Sequence, residues 1–139
     1  MSAAEFFGKE INWKSFREGL QEISEYHKPG IILIGKQWCP SCKKIGLKFQ
    51  SDKELIELSR NFVMISCYDD EEPDYDDFRP GMYGTALFNV DGVYYPRFFF
   101  IDSSGTINYS ISSGKAGEPY RYFYSSVYSF KDRMRQLLQ

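Results

Sequence analysis

Two cysteines three residues apart, Cys39 and Cys42, are the side chains of this sequence best suited to chemistry. They stand in Trp38-Cys39-Pro40-Ser41-Cys42-Lys43, just after the apolar run Ile31-Ile32-Leu33-Ile34-Gly35. Such a run reads as a strand buried on both faces, and the residues after it read as a helix that Cys39 opens. The first N–H groups of a helix lack internal partners, and the helix dipole is positive there. A sulfur at that point is favoured as the thiolate, the nucleophilic form. Pro40 suits the first helical position, where its missing N–H costs nothing. Cys42 lies one turn on, where Cβ atoms are about 5–6 Å apart, so small adjustments bring the sulfurs to bonding distance. The chemistry on offer is thiol–disulfide exchange: Cys39 attacks a disulfide, and Cys42 then resolves the mixed disulfide.

The same residues have blander readings. Zinc wants four ligands, commonly two pairs; only Cys67 and the single His27 remain, at spacings that match no common finger, so no metal is expected. A lone C-x-x-C can also be two inert core thiols. Cys67 ends the apolar stretch Phe62-Val63-Met64-Ile65-Ser66-Cys67 and reads as core, the alternative being a regulatory or intermolecular thiol. His27, just before Pro29-Gly30, reads as an exposed helix end. Lys36 and Lys43 flank the pair, either stabilising a Cys39 anion or lying solvated on the surface. Trp38 adjoins Cys39 as an apolar platform for a client, whereas Phe98, Phe99 and Phe100 read as core strand. Residues 69–77 hold seven carboxylates in nine positions. They read as a solvated loop or a weak calcium site, without EF-hand spacing. Asn108-Tyr109-Ser110 is a glycosylation sequon expected in a strand and poorly occupied.

The surrounding elements are set by periodicity and turn residues. Trp13, Phe16, Leu20 and Ile23 recur at helical spacing, with Asn12 as N-cap. After the first strand and the cysteine helix, to about Phe49, a second helical piece capped by Ser51 or Asp52 runs through Leu58. Phe62 to Cys67 is a second buried strand, joined to the first by a crossover long enough for a parallel pair. Residues 69–89 read as loop. A hairpin comes next, Tyr94 to Ile101 returning as Thr106 to Ser112 across Asp102-Ser103-Ser104-Gly105. A last helix from about Tyr124 puts Val127, Phe130, Met134, Leu137 and Leu138 on one face.

The 139 residues suit one domain, 1–139, with its core over about 11–138. With 42% hydrophobic and 18% aromatic residues, disorder is excluded. A net charge of −2 gives no pull toward nucleic acid or an anionic membrane, and no apolar run approaches a membrane span. Met1-Ser2-Ala3-Ala4-Glu5 does not read as a signal peptide, and the C-terminal residues carry no retention signal.

The sequence also resembles a known family. Trp38-Cys39-Pro40-Ser41-Cys42-Lys43 resembles the active-site motif of thioredoxins and protein disulfide isomerases, and Tyr95-Pro96-Arg97-Phe98-Phe99-Phe100-Ile101-Asp102 resembles the strand that opens with their cis-proline. Ile11-Asn12-Trp13, Lys36-Gln37-Trp38-Cys39, Asn61-Phe62-Val63-Met64, Asp69-Asp70-Glu71-Glu72-Pro73 and residues 120–124 are similar to segments of the small endoplasmic-reticulum thioredoxin-like proteins. These are the branch of thioredoxin-domain-containing protein twelve and the anterior-gradient proteins. The resemblance implies an α/β thioredoxin fold: a central mixed sheet of parallel strands plus a C-terminal antiparallel hairpin, flanked by helices. It implies disulfide exchange on client proteins of the secretory pathway, with glutathione as electron partner and no cofactor beyond the Cys39–Cys42 disulfide itself. A monomer is expected. Cys39 takes the place of the nucleophile, Cys42 of the resolving thiol and Pro96 of the cis-proline. Trp38, Pro40, Ser41 and Tyr95 border the client, the Tyr95 backbone pairing with it as an added strand. The sequence departs from the family in places. Cys42 is present where the anterior-gradient branch often lacks it. Pro40-Ser41 differs from either branch, and residues 81–93 form a longer approach to Tyr95-Pro96. Leu33 stands where thioredoxins proper keep a buried acid, which removes a proton shuttle. The rival function is a redox-silent client-binding or chaperone-like module using the same groove.

Overall fold

The computed structural model describes residues 3–68, 85–113 and 120–139. Two largely apolar runs form the middle of its sheet: β2, Gly30–Gly35, and β3, Val63–Tyr68. They pair in parallel, from Gly30 against Val63 to Gly35 against Tyr68. On the far side of β2 lies β4, Arg97–Ile101, antiparallel, with Ile34 opposite Arg97 and Gly30 opposite Ile101. The short β1, Trp13–Lys14, closes the other edge beside β3, giving the order β1-β3-β2-β4. Side chains alternate along each strand, so each run feeds two cores. Ile31, Leu33, Met64, Phe98 and Phe100 face one layer, whereas Ile32, Ile34, Ile65, Cys67, Phe99 and Ile101 face the other.

Helix α2, Phe16–Tyr26, covers the second layer with Phe16 and Ile23. It starts at Ser15, whose hydroxyl accepts from the Glu18 N–H at 3.2 Å. The expected N-cap, Asn12, is therefore displaced, and Trp13 belongs to β1. The Ser15-x-x-Glu18 signature puts a better cap three residues later. Helices α3, Pro40–Ser51, α4, Lys53–Ser59, and α6, Val127–Leu138, cover the first layer. Asp52 caps α4, accepting from the Leu55 N–H at 2.9 Å.

Three elements differ from expectation. Helix α1, Ala3–Phe7, buries Ala3, Phe6 and Phe7 in the first layer, so the core begins before residue 11. It lies so close to α3 that a Cβ at Gly46 would collide with the Phe6 carbonyl. Helix α5, Thr85–Phe88, occupies part of the stretch read as loop, and Phe88 packs on Phe16 and Phe99. The return of the hairpin is reduced to a single bridge, Ile107 against Ile101, with Asn108 donating to the Phe100 carbonyl at 2.8 Å. A turn at Tyr109-Ser110 ends it, so the Asn108 sequon lies at a turn rather than within a strand. Phe98 instead takes its outer hydrogen bond from farther along the chain, donating to the Tyr122 carbonyl at 2.9 Å.

Candidate active site

Cys39 is the N-cap of α3, with extended backbone angles of −78° and 110°. Pro40 fills the first helical position, and the Cys42 N–H donates to the Cys39 sulfur at 3.1 Å. The sulfur thus satisfies one of the orphan amides of the helix start. Both residues are buried, Cys39 keeping 3% of its surface and Cys42 none, and all three cysteines are free thiols. Burial, followed by the Cys39 side chain, holds the Cys42 thiol well above the ordinary thiol range, so it is protonated at neutral pH. Pro40 and Ser41 are exposed beside the pair.

Opposite the helix start stands the beginning of β4. The Tyr95–Pro96 peptide is cis, Pro96 is buried and Tyr95 half-buried. Trp38, 65% exposed, meets the Tyr95 ring edge-on at 6.2 Å. The Lys36 ammonium sits 5.9 Å from the Trp38 ring centre and 5.3 Å from that of Tyr95. Trp38, Lys36 and Tyr95 thus form a continuous lip next to the cysteines. Lys43 lies instead 5.6 Å from the Phe6 ring. The backbone of Leu33 is in mid-β2 and its side chain is buried, so β2 offers no carboxylate there.

The lip is anchored from beneath by contacts that the sequence motifs do not disclose, although Arg97, Arg121 and Tyr122 lie within them. Arg97 is fully buried; its Nη1 donates to Asn89 Oδ1 at 2.7 Å and to the Gly92 carbonyl at 3.1 Å. Its guanidinium lies 5.1 Å from the Tyr95 ring centre and 5.7 Å from that of Tyr94. The Tyr94 hydroxyl donates to Asp91 Oδ1 at 2.7 Å and accepts from the Tyr122 N–H at 3.1 Å. Asp91 Oδ2 accepts from the Arg121 N–H at 2.8 Å. Burial, and then the bond to Asp91, keep the Tyr94 hydroxyl protonated well above the ordinary tyrosine range. Asp91-Gly92 carries a turn signal in the sequence, but nothing local announces partners some thirty residues away.

The remaining candidates fall elsewhere. Cys67 is buried in the second layer opposite Ile34, whereas Cys39 and Cys42 belong to the first. His27 is an exposed left-handed cap (φ 53°) at the end of α2, by the start of β2 and away from the cysteines beyond its far end. The Asn108 amide is engaged, accepting from the Ser110 N–H at 3.1 Å and donating to Asp102 at 3.3 Å. The acidic run 69–77 and residues 81–84 of the approach loop lie outside the described residues.

A family profile described as thioredoxin-like matches residues 12–103. Anterior gradient protein 3 of Mus musculus is 25% identical over 137 residues, covering 96% of this chain and 74% of its own. A thioredoxin from Thermus thermophilus superposes with a TM-score of 0.60 at 17% identity, covering 93% of this chain and 88% of its own. A disulphide isomerase from Xylella fastidiosa superposes with a TM-score of 0.55 at 16% identity, over 88% of each.

Proposed function

The chain belongs to the thioredoxin-like family, and on that premise we propose that it is a thiol–disulfide oxidoreductase acting on protein disulfides through Cys39 and Cys42. One observation carries the reading: the Cys39 sulfur caps α3 and accepts a backbone N–H at 3.1 Å. That bond is strengthened when the sulfur is anionic, which is the state that attacks.

In the reducing direction the Cys39 thiolate attacks one sulfur of the client disulfide. A new S–S bond forms to Cys39, the client S–S bond breaks, and the departing client thiolate takes up a proton. Cys42, held as a neutral thiol by burial, is unsuited to that first attack. It acts second, losing its proton as it attacks the Cys39 sulfur, and with no carboxylate at Leu33 that proton goes to solvent or to the released client. The Cys39–Cys42 disulfide is left, and the client has gained two electrons; oxidation of a client is the reverse. Glutathione fits as the electron partner in the secretory pathway, and the endoplasmic-reticulum lumen as the location. Both are carried by the resemblance to the anterior-gradient proteins. The chain acts as a monomer and a single domain, needing no cofactor beyond its own disulfide. The client strand runs along Tyr95 and Pro96, against Trp38, Pro40 and Ser41.

The test is a trapping experiment on the whole chain. Cys42→Ala should accumulate mixed disulfides with a disulfide-bonded client, mapped by peptide mass to Cys39, and Cys39→Ala should accumulate none. Equal trapping by both variants, or no turnover by the unmodified chain, would favour the redox-silent binding module instead.

A further inference from the structure

Beside the cysteine pair, a cleft of about 140 Å³ opens between α3 and the chain at 123–125, with no residue of the Trp38 lip in its lining. Ser41, Lys44, Ile45, Lys48, Phe123 and Ser125 line it. Ser41 lies between the two cysteines, so the cleft begins next to the reacting sulfurs. Its volume is well below the roughly 300 Å³ at which drug-sized pockets begin; it has room for one side chain. The walls are apolar at Ile45 and Phe123 and cationic at the rim. Lys48 is fixed there, its ammonium donating to the Ser125 carbonyl at 3.0 Å. Lys44, one turn nearer the cysteines, is exposed and has no acidic partner among the described residues.

The charge of this flank is a local property of α3. From Pro40 to Ser51 the helix carries Lys43, Lys44 and Lys48 and no carboxylate. The next acids along the chain are already taken: Asp52 and Glu54 hold Lys131 at 3.0 and 2.8 Å, and Glu54 also holds Arg135 at 2.7 Å. The chain as a whole has a net charge of −2, so nothing global would collect anions at this place. An apolar-walled cleft with a cationic rim complements a short acidic side chain: methylenes inside, carboxylate against the two ammonium groups.

We propose that this cleft is a specificity subsite for an Asp or Glu side chain on the client peptide, so that disulfides flanked by an acidic residue are preferred. The proposal rests on the exchange reaction proposed for Cys39 and Cys42.

The experiment uses the reduced full chain and three disulfide-linked peptides that differ only in Glu, Gln or Lys two residues beyond the cysteine. At low salt kcat/KM should run Glu, Gln, Lys, with about five-fold between the first two, as a partly solvated ion pair allows. The order should flatten in concentrated salt. Combined K44E and K48E should reverse the order while changing the Gln peptide least, and Lys44→Gln, which breaks no ion pair among the described residues, should remove part of the Glu preference. Equal rates for the three peptides, or a Glu preference that survives charge reversal, would overturn the subsite. If no peptide is reduced, the exchange reading fails. The subsite is then judged by calorimetric titration with the same peptides carrying Ser for Cys, where the Glu peptide must still bind tightest.

Discussion

The two walls of the site are built by opposite means. The cysteine wall is local: a cap, a proline and a sulfur–amide bond, all within the four residues from Cys39 to Cys42. The proline wall is assembled from a distance, with Asp91 reaching Arg121, Tyr94 reaching Tyr122, and Arg97 reaching back to Asn89 and Gly92. A local turn is dictated by its own residue types, so it is legible and robust. A long-range clasp forms only when the whole fold is in place, and it yields first when a member is removed. In the proposed reaction, reactivity is assigned to the self-sufficient wall, and the shape offered to a client to the rest of the protein.

The sharpest way to break this comparison is at Cys39. Cys39→Ala should abolish turnover of a protein disulfide while the chain still folds, losing about 1 kcal/mol because one cap and one buried sulfur go. Retained turnover would move the chemistry off the local wall.

Asp91→Ala comes next. It strands the Tyr94 hydroxyl and the Arg121 N–H together, which should cost about 2 kcal/mol in denaturant unfolding. Alkylation of Cys39 in the reduced protein should proceed as before, and client affinity should fall. A loss of Cys39 reactivity in step with stability would show the two walls to be one unit.

Alkaline pH gives a smaller, graded effect. The Cys42 thiol is raised in the folded protein by burial and by Cys39, so the folded state holds its proton longer than the unfolded chain does. That stability is complete below the ordinary thiol value of 9.0. It is then lost as pH climbs, by up to about 1.4 kcal/mol per unit. Tyr94, Tyr122 and Tyr124, raised first of all by burial, add a second decline above their ordinary value of 10.0. Cys42→Ala should erase the first decline and keep the second in pH-dependent melting.

The smallest effect belongs to Cys67→Ala. A buried sulfur is lost from the second layer, costing about 1 kcal/mol, with disulfide turnover intact.

Legibility in the sequence obeys the same division. Strand β2 announces itself by an uninterrupted apolar run, β3 by a run broken only at Ser66, α4 by a cap at Ser51 or Asp52, and the start of α3 by Cys39-Pro40 after a strand. The start of helix α2 is displaced by one cap, because Trp13 fits the helical period as well as it fits an edge strand. Helix α1 is too short to show a period; Phe6 and Phe7 find their place only because Gly46 lets α1 settle on α3. The hairpin return is overwritten by tertiary structure, since the Tyr122 carbonyl takes the Phe98 N–H. The clasp around Asp91, Tyr94 and Arg97 shows locally only as an Asp-Gly turn and the Arg97 of the Tyr95-Pro96-Arg97 motif, neither of which discloses its partners.

The segregation of Cys67 has a consequence for the oxidised protein. Three cysteines admit three intramolecular pairings, but the sheet is a partition with Cys39 and Cys42 on one side and Cys67 on the other. A bridge to Cys67 would have to cross the hydrogen-bonded plane of β2 and β3, beyond the reach of any disulfide without unfolding. Of the three intramolecular pairings, the one that needs no crossing of the sheet is Cys39 with Cys42. The architecture sorts its own sulfurs, keeping the pair that faces the first layer apart from the thiol that faces the second.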